Sequence, residues 1–376
     1  MTGVSILGST GSIGRSALAV LERHRDRFRI VALSAHRNAE LLAAQAAAWR
    51  PGMVVLTDGV ESVRRGWLQG REGLIAAATH PEADIVLNAI VGAAGLEATI
   101  AALEAGKRLA LANKESLVAG GELVMDALRR GGGSLIPVDS EHSAILQCLP
   151  GGSADAVRRM ILTASGGAFR TVPLAELARV KPSAALRHPT WDMGAKITVD
   201  SATLVNKALE LIEAHHLFRM RYDQLEAVIH PQSIVHSMVE FEDGSVLAQM
   251  GFPTMELPIL YAFTHPERLE DHGTRFDPVS AGTLTFEPVD SARYPAFRLG
   301  VAAGTAGGSA PAVFNAVNEV AVAAFLDERL AFLEIPRIIE NTLEACAGGT
   351  VDSLETVRET DARARAHARA LIKELM

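Results

Sequence analysis

Within Pro137-Val138-Asp139-Ser140-Glu141-His142, two carboxylates stand two residues apart, just beyond the apolar run Leu135-Ile136. If a strand carries that run through Asp139, both carboxylates point to the same side. Two carboxylates that close repel each other unless a cation lies between them. Oxygen-only ligands suit a hard ion, Mg²⁺ or Mn²⁺, better than zinc. The same residues also match a helix-capping pattern ahead of Ala144-Ile145-Leu146, so a solvated strand end followed by a capped helix is the competing reading. Farther along, Thr203, Asn206, Lys207 and Glu210 recur at spacings of three and four, which stacks Asn206 and Glu210 on one helix face. Glu210 reads there either as a third carboxylate around an ion, with Lys207 holding a phosphate, or as half of an ordinary surface ion pair with Lys207.

The elements that must position these groups can be read in order. Val4 to Leu7 is a strand running into Gly8-Ser9-Thr10-Gly11-Ser12-Ile13-Gly14, and a helix follows with Ile13, Ala17, Val20 and Leu21 on one face. Strand, glycine turn and helix N-terminus form a phosphate cradle, because free N–H groups and the helix dipole both favour an anion. The spacing is G-x-x-G-x-x-G rather than the commoner G-x-G-x-x-G. Arg29 to Ser34 supplies the second strand of a βαβ unit, and it ends in Ala35-His36-Arg37-Asn38. No acid stands there to bond a ribose 2′-hydroxyl, whereas Arg37 can meet a 2′-phosphate, which favours NADP over NAD.

Further α/β alternation gives strands at Met53–Leu56, Asp84–Ile90 and Arg108–Ala112, with a helix over Leu96–Ala105. The last of these strands ends at Asn113-Lys114-Glu115-Ser116, with a helix expected to begin near Ser116, at the sheet end where ligands bind. Met160–Thr163 enters a second small-residue turn, Ala164-Ser165-Gly166-Gly167. Residues 182–194 lack a clean period, and the stretch His188-Pro189-Thr190-Trp191-Asp192-Met193-Gly194 suggests a mobile flap. A helix through about His216 follows Lys196–Thr203, with Asp200 or Ser201 as its N-cap. Strands are expected at 227–230, 234–240 and 245–250, the last two alternating as a sheet covered on one face. His230 and His236 read as hydrogen-bonded structural residues. A linker rich in Pro and Gly spans about His265 to Asp290, and about four Ala-rich helices complete the chain. The fold class expected is α/β. A Rossmann-like NADP-binding domain occupies 1–133, an α+β catalytic domain with the flap 134–264, a linker 265–290 and a C-terminal helical bundle 291–376.

A chain of 376 residues, 48% hydrophobic and 21% charged, has an ordinary globular balance and is too long for one core. A formal net charge of −8 argues against a nucleic-acid partner, which would need a basic patch. The arginines from Arg363 to Arg369 read as an exposed helix face. Cys148 and Cys346 stand far apart in apolar settings and read as inert buried thiols of a reducing compartment. With no signal segment and no apolar run approaching the ~18 residues of a membrane helix, the expectation is a cytoplasmic protein that does not engage membranes.

Several segments, in order, resemble the 1-deoxy-D-xylulose 5-phosphate reductoisomerase family. They include Ile6-Leu7-Gly8-Ser9-Thr10-Gly11-Ser12-Ile13-Gly14, Ala89-Ile90-Val91-Gly92-Ala93-Ala94-Gly95-Leu96, Leu111-Ala112-Asn113-Lys114-Glu115-Ser116-Leu117-Val118 and Pro137-Val138-Asp139-Ser140-Glu141-His142. Ser165-Gly166-Gly167, His188-Pro189-x-Trp191-x-Met193-Gly194, Lys196-Ile197-x-Val199-Asp200-Ser201-Ala202-Thr203 and His230-Pro231-Gln232-Ser233 continue the match. The resemblance covers essentially the whole chain. It implies a rearrangement of 1-deoxy-D-xylulose 5-phosphate followed by reduction with NADPH to 2-C-methyl-D-erythritol 4-phosphate. It implies a metal site of Asp139, Glu141 and Glu210, holding Mg²⁺ or Mn²⁺ with Co²⁺ as a further candidate. By the same resemblance Ser140, Ser165, His188, Trp191, Ser201, Asn206 and Lys207 bind substrate, and Lys114, Glu141 and His188 serve catalysis. NADPH contacts fall to Gly8, Ser9, Thr10, Gly11, Ser12, Ile13, Arg37, Asn38, Asn113, Glu115 and Gly194, and a homodimer is implied.

Three segments depart from the family pattern. His36 precedes Arg37-Asn38 where Gly is usual, Ala208 stands for Gly in Asn206-Lys207-Ala208-Leu209-Glu210, and Gly251-Phe252-Pro253-Thr254-Met255-Glu256 lacks the Asp and Arg that usually flank the Met. Two rival readings are an NADP dehydrogenase of another small aldehyde, which leaves the three carboxylates without a purpose, and a non-catalytic NADP-binding sensor. Activity that survives chelation separates the first; cofactor binding without turnover separates the second.

Overall fold

The apolar runs and glycine turns at the start of the chain build a parallel sheet. A computed structural model describes residues 1–58, 64–149, 151, 154–270, 273 and 275–375. It divides into two compact units, one of Met1–Leu117, Gly121–Ser143 and Thr254–Gly273, the other of Val118–Gly120, Ala144–Pro253 and Thr274–Met376. The first unit strings together β1 (Thr2–Leu7), α1 (Ser12–Glu22), β2 (Phe28–Ala35), α2 (Ala39–Trp49), β3 (Met53–Leu56), β4 (Leu68–Gln69) and α3 (Gly70–Ala78). It continues with β5 (Ile85–Asn88), α4 (Gly95–Glu104), β6 (Arg108–Leu111), α5 (Lys114–Gly131) and β7 (Ser134–Pro137). The seven strands lie in the order β4-β3-β2-β1-β5-β6-β7 and pair in parallel. The chain runs outward from β1 to one edge, then returns to set β5 against the other flank of β1. That reversal opens a crevice at the carboxyl ends of β1 and β5. Both strands are buried nearly throughout, which is why they read as continuous apolar runs.

Helix α6 (Ser140–Cys148) opens at the boundary between units. Then come β8 (Val157–Ala164), α7 (Pro182–Ala185), α8 (Ala195–Thr203), α9 (Val205–Phe218), β9 (Leu225–Ile229), β10 (Val235–Phe241) and β11 (Val246–Met250). Helix α10 (Glu256–Thr264) belongs to the first unit, where Glu256 pairs with Arg23 at 2.7 Å. The remainder is α11 (Pro278–Ala281), β12 (Glu287–Pro288), α12 (Pro295–Ala306), α13 (Ala310–Leu326), α14 (Glu334–Cys346) and α15 (Leu354–Leu375). In the second unit β11-β10-β8-β9-β12 form a mixed sheet, with β8 and β9 parallel. A helical core buries Phe169, Val199, Leu209, Ile212, Phe314, Val317 and Phe325, and Phe169 meets Phe332 edge-on at 5.0 Å between ring centres.

Five expectations need correction. The strand does not run through Asp139: β7 ends at Pro137, and the Ser143 N–H donates to the Asp139 carbonyl at 2.8 Å to start α6, so the capping alternative describes the backbone. The helix expected near Ser116 begins at Lys114, because Asn113 caps it by accepting from the Ser116 N–H at 3.1 Å. Asp200 and Ser201 are not N-caps but lie inside α8; the break comes at Leu204, which takes a left-handed φ of 57° between α8 and α9. Strand β10 does not alternate, since five of its seven residues are buried, and β11 at the sheet edge exposes Val246 and Leu247. On α15 Arg363 and Arg369 are exposed as expected, but Arg365 is largely covered and is tied to Glu319 and Asp361.

The departure at Ala208 has a counterpart across the helix interface. A Cβ placed on Gly300 of α12 would lie 2.5 Å from the Ala208 Cβ and 2.5 Å from Cζ of Phe314. Gly300→Ala is therefore expected to destabilise the chain by about 1–3 kcal/mol through overpacking. Adding Ala208→Gly should recover only part of the loss, because the Phe314 ring remains in the way. Denaturant midpoints measure both effects, and an unchanged midpoint in Gly300→Ala would show that the helices separate at no cost.

Candidate active site

The glycine turn after β1 is held from outside. The Gly8 N–H donates to the Ser34 carbonyl at 3.1 Å and the Ser9 N–H to the same oxygen at 2.8 Å. Ser9 Oγ donates to Gln45 Oε1 at 2.7 Å, and Gln45 Nε2 returns a bond to the Ser9 carbonyl at 2.9 Å. Gly8 has φ of 84°, and a Cβ there would be 2.6 Å from the Ala89 carbonyl oxygen. Helix α1 has Gly11 at its N-cap and so no side-chain cap, which leaves its first N–H groups to a ligand. Ser12 is exposed beside them. Gln45 was not foreseen: no spacing in the sequence ties an interior residue of α2 to a turn 36 residues earlier.

Beyond β2, Arg37 is exposed and its Nε donates to Asp58 Oδ2 at 2.6 Å. Asn38 caps α2 by accepting from the Leu41 N–H at 3.0 Å. Asp58 was also missed, since it arrives from the end of the neighbouring strand. Asn113 is buried, and its Nδ2 reaches the carbonyls of Ile90 and Gly92 at 2.9 Å and Glu115 Oε2 at 2.8 Å. It thereby fixes the turn after β5, as does Asn88, whose Nδ2 donates to the Gly95 carbonyl at 2.9 Å. Next to this turn the Lys114 ammonium, almost buried, pairs with Asp139 Oδ2. The fully buried His142 places Nδ1 3.6 Å from the same oxygen, and Ser140 Oγ donates to Glu141 Oε2 at 2.5 Å. The first unit thus brings Lys114, Asp139, Ser140 and Glu141 to the carboxyl ends of β6 and β7.

In the second unit Ser165, His188 and Ser201 meet. His188 Nδ1 accepts from the Trp191 N–H at 2.9 Å and the Thr190 N–H at 3.2 Å, which puts the ring proton on Nε2. Nε2–H then faces Ser165 Oγ at 2.9 Å and Ser201 Oγ at 3.1 Å. Burial pushes the His188 pKa below its ordinary value, so the ring is held neutral as a donor. The turn bearing Ser165 needs its glycines: Gly167 has φ of 70°, and a Cβ there would be 2.5 Å from the Ala202 Cα of α8. Trp191 lies 6.3 Å from the ring of His236, and Gly194 is the exposed residue from which α8 starts. His230 is structural, as expected: Nδ1–H donates to the Thr285 carbonyl at 2.9 Å, while Nε2 accepts the N–H groups of Ile234 and Val235 at 3.1 Å.

On α9 the Lys207 ammonium and the Asn206 amide both donate to Glu210. Lys207 and Glu210 are only 2% and 1% exposed at their side chains, so the pair is not the solvated surface bridge that their spacing also allowed. A buried ammonium and a buried carboxylate are costly to desolvate, and such a pair marks a place built for charge.

Comparison with known proteins identifies the family. The family model for 1-deoxy-D-xylulose 5-phosphate reductoisomerase matches residues 4–121, that for its C-terminal domain residues 135–218, and that for the DXP reductoisomerase C-terminal domain residues 250–367. The 1-deoxy-D-xylulose 5-phosphate reductoisomerase of Crocosphaera subtropica is 50% identical, over 97% of this chain and 95% of its own. That of Ralstonia nicotianae is also 50% identical, over 98% and 97%. Among solved structures, the Zymomonas mobilis enzyme in complex with NADPH superposes with a TM-score of 0.92 at 46% identity, covering 99% of both chains. A DOX-P reductoisomerase in complex with NADPH, fosmidomycin and magnesium gives a TM-score of 0.94 at 39% identity, over 100% of this chain and 99% of its own. The chain belongs to the 1-deoxy-D-xylulose 5-phosphate reductoisomerase family.

Proposed function

We propose that this chain converts 1-deoxy-D-xylulose 5-phosphate into 2-C-methyl-D-erythritol 4-phosphate, with NADPH and a divalent cation, in the non-mevalonate route to isoprenoids. The observation that carries this reading is a whole-length match to relatives half identical to it. The uncapped start of α1 supports an NADPH pyrophosphate at Gly8, Ser9, Thr10, Gly11, Ser12 and Ile13. Arg37 and Asn38 take the 2′-phosphate end of the cofactor, and Asn113, Glu115 and Gly194 line its remaining length. Asp139, Glu141 and Glu210 hold the cation, an oxygen-only donor set that suits Mg²⁺ or Mn²⁺ and admits Co²⁺. A bound ion supplies a Lewis acid for the ketone and neighbouring hydroxyl oxygens of the sugar.

The residues of the chain do the rest. Ser165, Ser201, Asn206 and Lys207 hold the sugar phosphate, and Ser140 bonds the substrate near the carboxylates. The neutral Nε2–H of His188 joins the two serines as a third donor. Trp191 closes with its loop to exclude water while charge develops. Lys114, paired with Asp139, and Glu141 take the catalytic roles that the resemblance implies. Retro-aldol cleavage breaks one C–C bond and the aldol step forms another, giving a branched aldehyde phosphate. Bound NADPH would supply the hydride which, with one proton on the oxygen, takes that aldehyde to the alcohol and leaves NADP⁺. We further read the protein as a cytoplasmic homodimer. Its buried cysteines, Cys148 and Cys346, form no disulfide, which suits a reducing compartment, and no described helix is long and apolar enough to cross a membrane. Sedimentation tests the dimer.

The test of function is loss of NADPH absorbance on adding 1-deoxy-D-xylulose 5-phosphate, with and without EDTA. Turnover that needs the metal supports the proposal. Oxidation indifferent to EDTA would leave an ordinary dehydrogenase, and no oxidation would sink the substrate assignment. For cofactor choice, Arg37→Glu is expected to raise the KM for NADPH about 10–100-fold, the worth of a hydrogen bond to a charged group, while leaving NADH unaffected. Equal loss for both cofactors would remove Arg37 from the 2′-phosphate.

A further inference from the structure

Helix α8 presents Ser201 to His188, and the preceding residue makes a buried polar contact with α13. Asp200, one residue before Ser201, is 1% exposed. Its Oδ1 accepts from Asn318 Nδ2 at 2.8 Å, and its Oδ2 lies 3.0 Å from Lys196 Nζ, one turn back on α8. Asn318 is wholly buried in α13 among Phe314, Val317, Ala321 and Val322. Its own Oδ1 is buried and has no hydrogen-bond partner among the described residues. An amide kept in the core with its acceptor unsatisfied is poor packing, and an apolar side chain would fill that position more cheaply. What only the amide supplies is a directed N–H for the Asp200 carboxylate.

The geometry of α8 gives that bond a use. Successive residues on a helix are turned by about 100°, so whatever fixes Asp200 about the helix axis also fixes where Ser201 points. The helix ends three residues later at Leu204, whose left-handed backbone breaks continuity with α9 and leaves α8 to be oriented by its own contacts. Ser201 Oγ must stay within 3.1 Å of His188 Nε2 and 3.4 Å of Ser165 Oγ for the three donors to converge. We propose that Asn318 is a positioning residue: through Asp200 it locks the rotation of α8 and so holds Ser201 for the phosphate of the sugar substrate. The inference rests on reading Ser165, His188 and Ser201 as phosphate donors.

The test compares steady-state kinetics of Asn318→Leu, Ser201→Ala and the exchange variant Asp200→Asn/Asn318→Asp, which keeps the bond with donor and acceptor reversed. Asn318→Leu should raise the KM for the sugar phosphate about 10-fold, while kcat and the KM for NADPH stay within about twofold, as expected when binding of the substrate alone is loosened. The exchange variant should return the sugar-phosphate KM toward that of the unaltered chain. An unchanged KM in a folded Asn318→Leu, or equal losses in kcat and both KM values, would overturn the proposal. If Asn318→Leu does not fold, the exchange variant decides alone: a restored KM supports the clamp, and a raised KM in a folded chain rejects it. Ser201→Ala separates the two layers. If its KM does not rise, the phosphate reading fails and takes this inference with it. If it rises while that of Asn318→Leu does not, only the clamp fails.

Discussion

Glu210→Gln is expected to lower kcat/KM for 1-deoxy-D-xylulose 5-phosphate about 10³-fold, because several kcal/mol of charge stabilisation depend on a complete set of metal oxygens. The substitution keeps the shape of the side chain and its bond from Asn206, and removes only the charge. That charge has a second duty, since the Lys207 ammonium is buried against it. Taking one partner from a buried pair leaves the other uncompensated, at a cost of about 3–5 kcal/mol of stability. Two losses are therefore expected together, and they separate by condition. The stability loss appears as a lower denaturant midpoint whether or not metal is present. The catalytic loss must persist in the cold, where circular dichroism shows the variant folded, and must bring the variant near the rate of the unaltered enzyme in EDTA. A folded variant within tenfold of full activity, still silenced by EDTA, would mean that the ion is held without Glu210.

That buried pair also shows where reading the sequence stops. Lys207 and Glu210 stand three apart, and this spacing is the same on a solvated helix face as on a covered one. Only the packing of the second unit decides, and packing is set by residues such as Phe314 and Leu299 that lie about a hundred positions later. The turn from Gly8 to Gly14 was legible because its determinants are local: a strand, three glycines and a helix start. Six of the seven parallel strands were legible for the same reason, as continuous apolar runs at βαβ spacing; β4, two exposed residues at Leu68–Gln69, carries no such run. Leu204 was not, because nothing in Thr203-Leu204-Val205 announces a left-handed residue; without it, the chain reads as one helix from a cap at Asp200 or Ser201 through about His216. Asp139 was misplaced on a strand because the apolar run continues through Val138, while Pro137 and the bond from Ser143 to Asp139 end the strand first. Of the candidate site, the residue types were legible and their partners were not. Asp58 beside Arg37, Gln45 beneath Ser9 and Asn318 against Asp200 all come from other elements.

Gly14→Ala is expected to weaken NADPH binding about 100-fold, the order of loss that follows an ångström of misplacement. Its Cβ would stand 2.4 Å from the Gly8 carbonyl oxygen and 2.6 Å from the Ser9 Cα, and backbone atoms cannot swing aside as a side-chain end can. The turn cannot yield, because the N–H groups of Gly8 and Ser9 are both held by the Ser34 carbonyl. Helix α1 must move instead, carrying away the free N–H groups proposed to hold the cofactor. Overpacking of this kind should also cost about 1–3 kcal/mol of stability. Gly11→Ala makes the informative contrast. Its φ is −74°, it is exposed, and a Cβ there would meet only the Gly8 carbonyl oxygen, at 3.4 Å. Its stability should stay within about 0.5 kcal/mol. Any loss of NADPH affinity must then come from crowding the ligand itself. Fluorescence titration with NADPH alongside denaturant unfolding reads both variants. A stable Gly11→Ala that binds NADPH poorly would place a phosphate against that turn, whereas full binding by Gly14→Ala would show that the start of α1 is not where the cofactor is held.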